Sequence, residues 1–275
     1  MSKHGQSNPP TASFKEIRSR DNPFFKELKR LAQFGRERKK SGQTLLDGAH
    51  LIHAYEESLG PVETLIVNES ACLQPEIADL IKGREVMLLA ENLFRDIACV
   101  ETPSGIMALV PIPVSPAPDA TVDSVLLDGV QDPGNVGTLL RTAAAAGFRQ
   151  VLLSADCAGV WSPKVLRAGQ GAHFALSMIE DADLAAFLKT YQGIAAVTQL
   201  QDAISLFDAP LRGAMAWVFG SEGQGVRLEV AAAAPLKVKI PMPGVAESLN
   251  VGAAAAVCLF ETVRQRQLLI RLDEA

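Results

Sequence analysis

Three segments in the second half of the chain gather polar side chains into glycine-rich surroundings. Residues 132–141, DPGNVGTLLR, carry Asn135 and Arg141; residues 219–225, FGSEGQG, set Glu222 between Gly220 and Gly225; residues 240–250, IPMPGVAESLN, run from Ile240 to Ser248, Leu249 and Asn250. A guanidinium binds phosphate or steadies a developing oxyanion, amides and a carboxylate orient it, and glycine lets backbone approach a ligand. Other chemistries lack their residues. The Walker G-K-[ST] and the G-x-G-x-x-G fingerprint are both missing, and Ser221 directly follows Gly220 instead of sitting centrally in G-x-S-x-G. Of four histidines, His4, His50 and His53 fall in the first half, so His173 reads as a structural or ligand-contacting residue, not a triad base. Cys72, Cys99, Cys157 and Cys258 form no C-x-x-C pair, and no metal-ligand cluster is present.

Positioning these residues requires strands that end where the segments begin. Apolar runs at 125–127, 216–219 and 237–240 precede the three loops, and loops at the carboxyl ends of parallel strands are where open α/β sheets bind ligands. Strands are expected at 124–127, 150–153, 193–197, 215–219 and 237–240, with helices at 136–146, 184–188 and 248–266. This alternation implies a mostly parallel sheet covered on both faces. The helix after the first loop carries an apolar stripe of Val136, Leu139, Leu140, Ala143, Ala144 and Gly147, with Asn135 as its cap. Arg141 lies about 140° from Val136 on that wheel, so packing does not account for it. Ser248 is the expected cap of the last helix, whose residues 252–256 are small enough for close packing.

The first half reads as a smaller α/β pattern: strands at 44–46, 64–67, 86–89 and 105–110, and helices at 49–58 and 75–81. An amphipathic helix over 22–38 is expected to turn Phe24, Leu28, Leu31 and Phe34 inward, with Gly42 beyond it as a breaker. The domains expected are a basic arm over 1–40, disordered through residue 13, a small α/β domain over 41–110, a proline-rich linker over 111–121 and a larger α/β domain over 122–275 that carries the three segments. Residues 1–40 hold 11 Lys/Arg against 4 Asp/Glu, while the whole 275-residue chain has a net charge of −5. A basic arm on an acidic body points to a polyanion contact, through Lys26, Lys29, Arg30, Arg36, Arg38, Lys39 and Lys40. No leader and no apolar run of membrane-spanning length is read, which implies a cytoplasmic protein with no membrane partner.

Together the three segments resemble the motifs of the SpoU (TrmH-type) RNA 2′-O-ribose methyltransferases of the SPOUT superfamily, over roughly 122–265. The stretch 162–174, with Ser162-Pro163-Lys164, Arg167-Ala168 and Gly171-Ala172-His173-Phe174, resembles a further family segment. Residues 43–110, notably Leu46-Asp47-Gly48 and Thr102-Pro103-Ser104-Gly105, look like a ribosomal-protein-like RNA-binding domain, with Asp47 in place of the family's Glu. The resemblance implies a trefoil-knotted α/β domain and S-adenosyl-L-methionine as cofactor, held at Gly220, Ile240, Leu249 and Thr198. It further implies catalytic roles for Arg141, Asn135, Glu222, Ser248 and Asn250, with no metal and a homodimer through the knotted domain. The substrate implied is RNA, ribosomal before transfer RNA, and not DNA. Two other readings are a non-catalytic RNA-binding protein of this fold and a dinucleotide-dependent oxidoreductase, the second disfavoured by the missing fingerprint.

Overall fold

A computed structural model describes residues 12–100 and 103–273, side chains through residue 268. The chain divides into two compact units, the first running to Ile112 and taking in Trp161–Pro163, the second beginning at Pro113.

The first unit is a five-stranded mixed sheet built from β1 (Ser13–Ile17), β2 (Gln43–Asp47), β3 (Thr64–Asn68), β4 (Glu85–Leu89) and β5 (Ile106–Pro111). The order is β1-β4-β3-β5-β2, with β1, β4 and β3 parallel and β5 antiparallel to both neighbours. The helices are α1 (Pro23–Gln33), α2 (Gly35–Ser41), α3 (Ala49–Leu59), α4 (Pro75–Ile81) and α5 (Glu91–Ile97). The expected separate basic arm is corrected over its described part: β1 is an edge strand of this sheet, and α1 supplies Phe25, Leu28 and Leu31 to its core. Disorder through residue 13 concerns residues mostly outside the described ones, but Ser13 already pairs with Glu85.

The single helix expected over 22–38 is two. Asn22 Oδ1 accepts from Phe24 N at 2.9 Å and Phe25 N at 3.3 Å, and Pro23 opens α1. At Phe34 the backbone becomes extended (φ −119°) before α2 begins, and Gly42 ends α2 with φ +67°. That phase buries Phe25, leaves Phe24 only partly covered, and leaves Phe34 45% exposed instead of inward. The segments Leu46-Asp47-Gly48 and Ser104-Gly105 meet: Ser104 Oγ donates to the buried Asp47 Oδ1 at 2.7 Å.

The second unit is a seven-stranded sheet in which every pairing is parallel. Its strands are β6 (Ser124–Asp128), β7 (Gln150–Leu153), β8 (Ser177–Ile179), β9 (Ile194–Thr198), β10 (Ile204–Ser205), β11 (Met215–Gly220) and β12 (Leu236–Lys239), in the order β10-β12-β9-β11-β6-β7-β8. The helices are α6 (Pro133–Ala145), α7 (Pro163–Gly169), α8 (Leu184–Thr190), α9 (Leu228–Ala233) and α10 (Val251–Asp273). The chain steps outward from β6 through β7 to β8, then returns past β6 to lay down β9. Later β11 enters between them. This reversal creates the crevice in which such sheets hold ligands. The proline-rich stretch is docked here by its far end: Ser115 Oγ donates to Met178 O at 2.7 Å, and the buried Gln150 amide grips the Asp119 backbone at both N and O.

Candidate active site

Loop one leaves β6 at Asp128 and enters α6. The cap of that helix is Asp132, not the expected Asn135: Asp132 Oδ1 accepts from Asn135 N at 2.8 Å. Pro133 fills the first helical position, where its missing N–H costs nothing. Asn135 therefore lies within the first turn, its side chain free of capping duty.

Loop two leaves β11 at Gly220 and folds back on itself, Ser221 and Gly225 exchanging backbone hydrogen bonds at 3.2 and 2.9 Å. A Cβ on Gly220 would lie 2.1 Å from the Gly225 carbonyl carbon, and Gly225 has φ +69°. Only glycine fits both places. The closed turn carries Glu222 at its exposed tip.

Loop three runs from β12 to α10. Asn250 Oδ1 accepts from Gly252 N at 2.9 Å and Ala253 N at 3.4 Å, so Asn250 caps α10 and the helix starts at Val251. Ser248, the expected cap, is exposed with no hydrogen-bond partner among the described residues.

The three loops meet in one cluster. Asn135 Nδ2 donates to Glu222 Oε1 at 2.8 Å, while Asn250 Nδ2 donates to Glu222 Oε1 at 2.8 Å and to Asn135 Oδ1 at 3.0 Å. Each amide is thereby held in one orientation. Arg141 is not part of the cluster: it lies exposed on α6 with no partner among the described residues. Glu222 accepts from Asn135 and has no hydrogen bond with Arg141.

Two cavities flank Glu222. One of about 350 Å³ is lined by Thr198, Phe219, Gly220, Leu249, Val251 and Ala254, together with Ser248 and Asn250. Of the four residues expected to hold a cofactor, Thr198, Gly220 and Leu249 line this cavity and Ile240 does not. The other, of about 480 Å³, lies between loops one and two and is lined by Asp132, Asn135, Asp156, Glu222, Gln224 and Arg227 among others.

Sequence reasoning missed what fastens loop two. Asp128, buried at the end of β6, accepts from Arg227 N at 2.8 Å, Arg227 Nε at 2.8 Å and Arg227 Nη2 at 2.7 Å. The hydrogen bond to Asp128 holds the Arg227 guanidinium above its usual pKa. The only hint in the sequence was an acid ending an otherwise apolar strand. His173 is structural: it is buried, its Nε2 donates to Val160 O at 3.0 Å, and burial pushes its imidazole down to about 4.

Of the expected phosphate contacts in the first unit, Lys26, Arg30, Arg36, Lys39 and Lys40 are exposed and Lys29 is half-buried. Lys26 is paired with Asp21 at 2.9 Å. Arg38 is a correction: it is buried, and its Nη1 donates to Leu31 O at 2.5 Å, closing the end of α1. A guanidinium spent on backbone carbonyls inside the fold cannot reach a phosphate.

A polar cluster assembled from three glycine-rich loops at the ends of parallel strands defines a ligand-binding site of an open α/β sheet. Residues 124–260 match the SpoU rRNA Methylase family, and residues 22–108 match the MRM3-like substrate binding domain. The chain is 34% identical over 254 residues to the 23S rRNA (guanosine(2553)-2′-O)-methyltransferase RlmP of Bacillus subtilis, covering 90% of this chain and 98% of that one. Among solved structures, an RNA 2′-O ribose methyltransferase aligns with TM-score 0.77 and 29% identity, covering 91% of this chain and 99% of that one. An AdoMet-bound rRNA methyltransferase from Sinorhizobium meliloti aligns with TM-score 0.77 and 25% identity, covering 92% and 98%. The chain belongs to the SpoU family of RNA methyltransferases.

Proposed function

We propose that the protein methylates a ribose 2′-hydroxyl of ribosomal RNA, using S-adenosyl-L-methionine. The observation that carries this reading is the Asn135–Glu222–Asn250 cluster beside a cavity lined by Thr198, Gly220 and Leu249. The cavity suits the cofactor: it has the size of a small-molecule site, apolar walls at Phe219, Leu249 and Val251, and strand-end backbone for polar contacts. When bound there, S-adenosylmethionine supplies a methyl group on a sulfonium centre.

The protein's part is to bring a ribose hydroxyl into line and to steady the charge left as its proton departs. Asn135 and Asn250, fixed through Glu222, form the polar wall that receives the ribose, and the unengaged Ser248 hydroxyl completes it. Arg141 holds a neighbouring phosphate and stabilises the developing alkoxide. A guanidinium serves better as a fixed cation than as a base.

Because Arg141 does not reach the cluster within its own chain, the site is completed in a homodimer formed through the second unit. The insertion of β11 between β6 and β9, with α10 packed on α6, supports a trefoil-knotted path for this unit. No helix among the described residues is long and apolar enough to cross a membrane, in keeping with work on RNA in the cytoplasm. Exposed Arg30, Arg36, Lys39 and Lys40, with half-buried Lys29 beside them, would contact RNA phosphates. The test is transfer of labelled methyl to purified ribosomal and transfer RNA, with 2′-O-methyl mapping in cells with and without the gene. Methyl transfer to a base, or to neither RNA, would overturn the assignment.

A further inference from the structure

Phe34 sits between α1 and α2 and is 45% exposed, although the periodicity of α1 calls for it to be inside. It does not face water alone. The Arg36 guanidinium lies over its ring, 5.6 Å from the centroid, while Arg36 Nε also lies 3.5 Å from Glu37 Oε1. Arg30 and Lys40, both exposed, share the lining of a cavity of about 230 Å³ between the two helices, with Glu27, Glu37, Leu31 and Ser41. Of the seven Lys/Arg in residues 26–40, five are exposed (Lys26, Arg30, Arg36, Lys39 and Lys40), against Glu27 and Glu37 in the same stretch. An exposed aromatic ring with an arginine on its face, inside a basic surface, is the combination that binds single-stranded nucleic acid: the ring stacks a base while the cations hold the backbone.

We infer that Phe34 and Arg36 form a stacking platform for one unpaired base of the RNA substrate. This rests on the RNA-methyltransferase reading above and adds to it a base contact made by the first unit. It also explains why α1 and α2 are separate helices. The extended backbone at Phe34 turns the ring outward, and Gly35 restarts the helix so that Arg36 can lie above it.

Stacking and phosphate contact leave different traces. Counterion release makes phosphate contacts salt-dependent, whereas stacking on an uncharged ring is not. The probe is a short end-labelled single-stranded RNA titrated with the full-length protein across a salt series, beside an abasic strand of equal length. Phe34→Ala should weaken RNA binding about tenfold at every salt concentration, leave the log–log salt slope unchanged, and have no effect on the abasic strand. Phe34→Trp should bind at least as tightly as the unsubstituted protein. Arg36→Gln should both weaken binding and flatten the slope. Because Phe34 is half in solvent, the thermal midpoint of Phe34→Ala should stay near that of the parent, which separates lost stacking from lost folding. Unaltered affinity in Phe34→Ala, with normal binding by the parent, overturns the platform alone; so does an equal loss on the abasic strand. Absence of RNA binding by the parent overturns both this inference and the reading beneath it.

Discussion

At the scale of single residues the site separates fixing from reacting. Asn135, Glu222 and Asn250 satisfy one another, whereas Arg141 and Ser248 have nothing to hold among the described residues. Arg141→Ala is therefore expected to lower kcat by at least about a hundredfold, the usual cost of removing one electrostatic stabiliser. Its cofactor affinity by calorimetry should be unchanged, since Arg141 lines neither cavity. Near-normal turnover would remove it from the mechanism. His173 provides a second prediction with a definite sign. Its folded pKa of about 4 lies below the ordinary 6.5, so the unfolded chain takes up a proton first as pH falls. The stability this neutral ring permits is intact above pH 6.5 and is lost progressively toward pH 4, about 2 kcal/mol of it by pH 5. Urea midpoints of the parent should drop over that window, and His173→Gln should show a shallower drop; equal slopes would assign the acid sensitivity elsewhere. The candidate residues Arg141 and Ser248 stood out in the sequence because packing did not require them. The partners of Asn135 did not, since it lies 87 residues from Glu222 and 115 from Asn250. The caps were misassigned for a related reason. Asp132 and Asn135, or Ser248 and Asn250, are equally good caps by type, and only the helix start decides between them.

At the scale of elements, close approach of backbones sets where the loops end up. A Cβ on Gly137 would meet the Ala168 Cβ at 2.3 Å, so α6 and α7 touch without side chains between them. On α10, a Cβ on Gly252 would come 2.9 Å from Thr138 Cγ2 on α6 and 3.2 Å from Asn250 Oδ1. Gly252→Ala should thus push the start of α10 off α6 and displace the Asn250 amide. Overpacking of this kind costs roughly 1–3 kcal/mol of stability, and kcat should fall with it. Thr138→Ser removes the methyl that the new Cβ strikes, so the double variant should recover most of both losses. Additive losses in the double variant would show that the contact does not position Asn250. The parallel sheet was legible from alternating apolar runs at 124–127, 150–153 and 215–219. The short pieces β8, β10, α7 and α9 were not, being too brief for a period to register. The break at Phe34 was hidden because Phe24, Leu28, Leu31 and Phe34 keep an approximate helical spacing up to it.

For the whole molecule, the two units pose separate questions, and the first changes the experiment that the sequence alone would suggest. Removing residues 1–40 would take away β1 and the Phe25, Leu28 and Leu31 side chains, so lost RNA binding would report unfolding and not lost phosphate contacts. Charge was legible as a count, but the burial of Arg38 could be seen only once α1 and α2 were placed. The second unit poses the sharper question, of whether one chain suffices. Arg141 makes no hydrogen bond to the cluster in its own chain, and the proposed homodimer would bring Arg141 of one protomer to Asn250 of its partner. Two inactive variants then become informative. Arg141→Ala and Asn250→Ala, each inactive alone, are mixed, allowed to exchange subunits and assayed for methyl transfer. Random exchange makes half the dimers mixed. Each mixed dimer has one site with both defects and one with neither, so about a quarter of parental activity should return. If each site draws Arg141 and Asn250 from the same chain, every site in the mixture keeps one defect and nothing returns. Sedimentation of the mixture guards the result, because recovery without a dimer, or a stable dimer without recovery, would each overturn the shared site.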